Sequence, residues 1–349
     1  MSGPLAGVTV VELGGIGPAP FSGMMLADLG AQVQVVVRPG RTLHAVLDRG
    51  KVPLPADLKS AADAERVREA ITNADVVIEG FRPGVAERLG FGPDDVESWN
   101  PRIVYGRITG FGRTGPYADR AGHDINYIAL SGVLGAMGPN GNNPAPPLNL
   151  VADFGGGGLL LALGVVSALL RSRSTGRGEV VDTAMVDGSA LLMSMIFGFQ
   201  AMGRWTVDRG ANLLDGGAPF YQTYECADGK FIAVGAIEPM FFANLVASLG
   251  LDDVVDVGRQ NDRSYWPELR GVLTAAFAAR PRDEWAEILM QLDTCATPVL
   301  SIDEVADHPH NAHRGTFEAI PGGTAPVAAP RFAPFVAEKV PAPLEGPLR

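Results

Sequence analysis

The sequence predicts an α/β protein: a doubly wound, mostly parallel sheet joined to a smaller α+β unit. Three observations lead there. Over the first half, β-branched runs at residues 8–13, 32–37 and 75–79 alternate with helical stretches, and helices between strands make those strands parallel. After about residue 219 the pattern changes to a hairpin, residues 220–226 and 230–235 around Ala227-Asp228-Gly229, whose glycine-containing turn suits antiparallel strands. The length of 349 residues suits two domains and a sizeable core.

The elements follow in order. Residues 8–13 read as a buried strand, followed by the turn Gly14-Gly15-Ile16-Gly17-Pro18. A helix from about 20 to 29 is stopped by Gly30, and a strand at 32–37 completes a βαβ unit. Residues 50–55 read as irregular, since proline breaks a strand. Residues 61–72 are helical, with Val67 and Ile71 one turn apart. Strands at 75–79 and 102–109 flank the start of a short helix at 83–89, and a Gly-, Pro- and Arg-rich loop spans 110–122. A helix is expected over 123–134, then a Pro/Asn/Gly loop at 138–147 and a helix entered from 149–153. A strand at 179–183 and an apolar helix at 186–202 complete the first unit. Beyond the hairpin, helices are expected at 240–249, 266–278 and 282–292, and residues 320–349 read as an extended Pro/Ala-rich tail.

Composition excludes several functions. The formal charge is −11 and there is no basic block, which argues against nucleic-acid binding. A few local positive groups can still hold an anionic ligand. Cys226 and Cys295 lack a ligand pattern, so neither a zinc site nor a disulfide framework is expected. His308-Pro309-His310 with His313 lacks the helical spacing of a metal site, and no metal is predicted. The N-terminus shows no basic stretch of a signal peptide. The apolar run at 154–170 has 17 residues and five glycines, better suited to a buried helix than a membrane span. A cytoplasmic location is therefore expected.

Several motifs bear on chemistry. Gly15-Ile16-Gly17-Pro18-Ala19-Pro20 has two glycines of a dinucleotide fingerprint, but proline replaces the third. Arg38, not an acid, follows the second strand, which argues against a nicotinamide cofactor and suits a ribose phosphate. The glycines can equally form a tight turn alone. In Glu79-Gly80-Phe81-Arg82-Pro83-Gly84, Arg82 follows a strand and Pro83 can open a helix, an arrangement able to face an anion or simply solvent. Lys59, Arg88, Arg102 and Arg107 are open to the same two readings. His123 follows a Gly-rich loop at a strand's C-terminal side, where ligands of open α/β sheets bind, and imidazole exchanges protons near neutrality; a helix-capping histidine is the alternative. Asp153 opens a helix containing Gly155-Gly156-Gly157-Gly158, as proton-transfer acid or plain N-cap. Glu238 precedes a helix in the second unit, and a glutamate paired with His123 would orient that ring and raise its basicity.

Together these passages resemble the α-methylacyl-CoA racemases of the family III CoA-transferase superfamily. The resemblance rests on LAGVTVVELGGIGPAPFSGMMLADLGAQV, DVVIEGFRPGVAERLGFG, ITGFGRTGPYADRAGHDINYIALSG, PPLNLVADFGGGG, GRGEVVDTAMVDGSALL, RGANLLDGGAPFYQTYECADGKFIAVGAIEP and CATPVL, spread over about residues 5–335. It implies a Rossmann-like large CoA-binding domain at 1–190, a linker helix region at 191–218, a small α+β domain at 219–310 and a segment at 311–349 returning to the large domain. It also implies an interlocked homodimer with each active site between one subunit's large domain and the other's small domain. His123 and Asp153 fall on the proton-transfer positions, Glu238 on the acid that pairs with the histidine from the partner, and Asp124 beside them. Ile16, Arg38, Lys59, Arg82, Pro83, Gly84, Arg88 and Tyr127 fall on the CoA-binding surface. The implied reaction is epimerisation of branched 2-methylacyl-CoA thioesters of lipid metabolism, through an enolate. Backbone N–H groups near Asp153 are the expected enolate donors. CoA is part of the substrate, and no separate cofactor is implied. One departure is Val52-Pro53, where the family's pattern carries a basic residue and a short strand. The alternative within the superfamily is a CoA-transferase with Asp153 as nucleophile.

Overall fold

The computed structural model describes residues 3–139 and 141–333. Six parallel strands form the first sheet: β1 (Thr9–Glu12), β2 (Gln32–Val37), β3 (Lys51–Pro55), β4 (Val76–Glu79), β5 (Val104–Thr109) and β6 (Val180–Ala184). Their order is β3-β2-β1-β4-β5-β6, so the winding reverses between β1 and β4. Alternation along the strands feeds a core on each face. Val10, Val76 and Ile78 join the cluster under helices Pro18–Asp28 and Leu160–Thr175. Val11 and Val77 join Val67, Ile71 and Val96 under helices Ala61–Thr72 and Pro93–Trp99. A parallel sheet covered on both faces is what the valine-rich runs require.

The structure corrects several expectations. Residues 51–55 are a strand, not irregular: Val35 opposes Pro53 and Val37 opposes Pro55. β3 is an edge strand, where a missing N–H can face away from the ladder. The helix expected over 123–134 divides into Asp124–Leu130 and Val133–Ala136, because Gly132 adopts φ 89° between them. The helix expected over 186–202 divides at Met193 into Met185–Leu192 and Ser194–Ala201. Helix Pro93–Trp99 was not anticipated, although Pro93 with Asp94 and Asp95 is a helix-start pattern.

The segment after Asn149 is a π-helix, Leu150–Leu159, running into α-helix Leu160–Thr175. Its glycines let backbones touch. A Cβ on Gly188 would lie 1.8 Å from the Gly156 carbonyl oxygen, and one on Gly158 would lie 2.7 Å from that of Pro18. By length and composition the combined run could cross a membrane. Here Leu161, Ala162, Val165 and Ala168 are buried, and Leu161, Val165 and Ala168 join the core of the large sheet.

One ion pair is sealed beneath the first loop. Lys51 Nζ lies 2.8 Å from Glu12 Oε2 with both side chains fully buried, and it also reaches Asp48 Oδ1 and the Pro20 carbonyl. Burial raises the Glu12 carboxyl despite the lysine. Removing Lys51 would strand that acid in the core.

The second unit is an antiparallel sheet of β7 (Tyr221–Glu225), β8 (Phe231–Gly235) and β9 (Ala296–Pro298). β9 was not anticipated. Helices Pro239–Ser248, Trp266–Phe277 and Arg282–Leu289 cover one face of it. A last hairpin, β10 (Phe317–Ile320) and β11 (Gly323–Pro326), follows a short helix Pro309–Arg314, so residues 323–326 are paired rather than an extended tail. The rest of that expected tail, from 334, lies outside the described residues. Arg49 joins this hairpin to the sheet unit, donating to the Pro326 carbonyl at 2.6 Å while its other nitrogens hold Asp28.

Candidate active site

Open α/β sheets bind ligands beyond the C-terminal ends of the strands where the winding reverses. In this chain that point carries the loop after β1, the loop after β4 and the loop after β5, with the π-helix alongside. The loop after β1 is glycine-built, with Gly15 at φ 136° and Gly17 at φ 69°. A Cβ on Gly17 would stand 3.3 Å from Asp153 Oδ2, so glycine here leaves room at the carboxylate. Ile16 projects from the same loop and is 77% exposed.

His123 and Asp153 reach this point on separate elements that one residue ties together. His123 is the N-cap of helix Asp124–Leu130, and its backbone N–H donates to Asn126 Oδ1 at 3.0 Å. Its side chain is exposed. The next residue, Asp124, is buried, and its Oδ2 accepts the backbone N–H groups of Ala152 and Asp153 at 2.7 and 2.8 Å. Asp124 thus holds the start of the π-helix against the helix that begins at His123. These two N–H groups were among the expected enolate donors. They are already engaged, so a substrate oxygen drawing on Asp153 N would share it with Asp124.

Asp153 sits in the first turn of the π-helix, half-buried. Burial pushes its carboxyl above the usual range; the Asn149 side chain, donating to Oδ2 at 3.1 Å, opposes this. The charge of Asp124 adds to the rise and that of His123 subtracts from it. A carboxyl raised in this way keeps more of its proton and can act as an acid. Asn149 escaped the sequence reading; its position four residues before Asp153, one helical turn away, was the available signal.

Tyr127 is buried, its ring edge-on to Phe111, and its hydroxyl donates to the Gly122 carbonyl. Burial and the Asp153 charge push this phenol up to about 12, while Arg82 pulls it down. Tyr127 therefore braces the residue before His123. Arg38, Lys59, Arg82 and Arg88 are exposed, and among the described residues their side chains form no hydrogen bond or ion pair. Pro83 and Gly84 lead into helix Val85–Arg88, with Gly84 in the left-handed region. Arg107 is instead occupied by Asp182, at 2.8 and 3.0 Å. Arg41, which the sequence reading passed over, donates to the Gly15 carbonyl at 3.1 Å.

Glu238 stands apart from this cluster. It is the N-cap of helix Pro239–Ser248, it is exposed, and among the described residues its carboxylate has no hydrogen-bond or ion-pair partner. Its charge helps raise the Cys295 thiol, after burial, the larger cause.

The fold and site together define an α/β protein that gathers, at the strand ends where the winding reverses, an imidazole, a carboxyl raised above its usual range and cationic side chains that have no hydrogen-bond or ion-pair partner among the described residues. The chain belongs to CoA-transferase family III, whose model matches residues 5–347. It is 49% identical over 313 residues to the α-methylacyl-CoA racemase of Mus musculus, covering 90% of this chain and 82% of that protein. It is 48% identical over 314 residues to the α-methylacyl-CoA racemase of Homo sapiens, with the same coverage. The succinyl-CoA–D-citramalate CoA-transferase of Chloroflexus aurantiacus is 30% identical over 331 residues, 88% of this chain and 81% of that protein. Among solved structures, a CaiB/BaiF family protein from Brucella suis aligns with a TM-score of 0.81 at 27% identity, over 95% of this chain and 93% of that one.

Proposed function

We propose that this chain is an isomerase that epimerises 2-methylacyl-CoA thioesters by moving a proton on and off the α-carbon. The observation that carries the reading is the tie between its two proton-transfer groups: Asp124, next to His123, grips the backbone of Asp153. For an (S)-substrate, His123 takes the α-proton. The C–H electron pair moves into the thioester carbonyl as an enolate, and protonated Asp153 delivers a proton to the opposite face. For the (R)-epimer the roles reverse. The raised Asp153 carboxyl supports its service as the acid. Enolate stabilisation draws on N–H groups at the start of the π-helix, shared with Asp124.

The CoA portion lies along Ile16, Arg38, Lys59, the 82–84 turn and Arg88, with the exposed cations meeting its phosphates. Tyr127 supports this wall from below. Exposed Met195 and Met202 offer a soft surface for a branched acyl chain, whereas Met185 is core. The domains divide near 190, 218 and 310, and the segment from 311 returns to the large domain, a reading supported by the Arg49–Pro326 bond. Two chains interlock, so that Glu238 of one small domain meets His123 of the other subunit. That the Glu238 carboxylate has no hydrogen-bond or ion-pair partner among the described residues supports this. The protein works in the cytoplasm.

The test begins from one pure epimer of a 2-methylacyl-CoA. Chiral chromatography is expected to show approach to a mixture of both epimers. Transfer of CoA to a carboxylate acceptor without epimerisation, lost in Asp153→Ala, would instead point to Asp153 as a nucleophile.

A further inference from the structure

Glu79 ends β4, beside the point where the winding of the sheet reverses, and is 1% exposed. Its Oε2 accepts the backbone N–H of Phe81 at 2.6 Å, among the described residues the one hydrogen bond to this carboxyl. The bond closes the strand end onto the loop that carries Arg82, Pro83 and Gly84. Phe81 packs onto the core on the far face of the sheet, so the loop is held by a ring and by a carboxyl. Gly80 lets the loop pass close to helix Pro18–Asp28, since a Cβ there would stand 3.0 Å from that of Ala19.

We propose that Glu79 is a positioning residue for ligand binding: through the Phe81 N–H it fixes the 80–84 loop, and with it the place where Arg82 meets the anionic part of the thioester. The proposal rests on the racemase reading above for the identity of that ligand. Among the described residues, four titratable or charged groups act on the carboxyl. Glu87, from helix Val85–Arg88, and Arg113, from the loop after β5, pair with each other at 2.5 Å. Arg107 on β5 opposes Glu79 in register but is committed to Asp182. Tyr105, also on β5, gives its hydroxyl to the Phe91 carbonyl. Among the described residues no cation is therefore left to Glu79 alone, and burial pushes its carboxyl up to about 7. The Phe81 bond favours the ionised form, so ionisation and the hold on the loop are linked. Above that pH the carboxylate grips the loop; below it a weaker, neutral acceptor remains.

The experiment measures KM and kcat for epimerisation, and Kd for coenzyme A by calorimetry, from about pH 6 to 8. Wild type, Glu79→Ala and Glu79→Gln are compared. Glu79→Ala is expected to raise KM and the CoA Kd about tenfold with kcat within about twofold. Glu79→Gln keeps an acceptor oxygen for Phe81 and is expected to restore binding to within about threefold of wild type. The wild-type Kd should tighten, relative to Glu79→Gln, as pH rises through about 7. Ionisation of the CoA phosphate is common to both and cancels in the comparison. Unchanged Kd in Glu79→Ala, or parallel pH profiles for wild type and Glu79→Gln, would overturn the proposal. If Glu79→Ala does not fold, the Glu79→Gln profile alone decides. A wild type that binds CoA without epimerising thioesters would sink the reaction while leaving the loop's role to the Kd values.

Discussion

The two folded units bury different side chains. The six-stranded sheet is filled mainly by Val, Ile, Leu and Ala, with a few rings such as Phe91 and Tyr105 and with glycine at its closest backbone approaches. The small unit is filled by rings: Phe220 meets Phe242 and Trp266, and Phe277 meets Tyr224 and Trp285, at centroid distances of 5.0–5.9 Å. Thin side chains let loops and a π-helix crowd the end of the large sheet. Interlocked rings make a stiff frame that presents Glu238 at a helix N-terminus. In the proposed function the chemistry sits where packing is backbone-close, and the aromatic unit of a second chain would deliver Glu238 to it.

Substitutions at the two ends of this comparison should separate rate from stability. The largest effect is expected at the two groups proposed to transfer the proton. His123→Ala or Asp153→Ala should lower kcat about 10²–10⁴-fold with little change in the thermal midpoint, measured by epimer assay and calorimetry. Phe277→Ala should do the reverse. Losing a fully buried ring costs about 3–5 kcal/mol in denaturant unfolding. Below the unfolding transition, kcat should stay within about threefold of wild type.

A third prediction concerns pH. In the folded chain burial lets Glu79 hold its proton up to about 7, against the ordinary glutamate value of 4.5 when unfolded. The unfolded state therefore sheds protons first, and stability falls as pH rises between those values, by about 3 kcal/mol. Urea unfolding across that range should show Glu79→Gln free of this loss. The smallest effect is expected at Gly17→Ala. A side chain at φ 69°, 3.3 Å from Asp153 Oδ2, should cost about 1–2 kcal/mol and slow epimerisation about tenfold.

Much of the large sheet was legible because its valine runs and the helices between them carry a clear period. β3 was not, since Pro53 and Pro55 hide a strand that only its edge position permits. The break at Met193 was hidden too: the apolar pattern continues through it, and only the tertiary path divides it. The placement of His123 at a helix start and of Asp153 in the first turn of another was legible from loop, glycine and strand order. Asp124's grip on the π-helix spans 28 residues and has no local signature, and neither has the burial that raises Glu79.

The most direct measurement is deuterium uptake at the α-carbon of one pure 2-methylacyl-CoA epimer incubated with enzyme in deuterated water, followed by NMR. Proton transfer through an enolate requires that label enters as the opposite epimer appears, and that both stop when His123 and Asp153 are replaced by alanine. Epimerisation without label, or label that persists in the double variant, would contradict it.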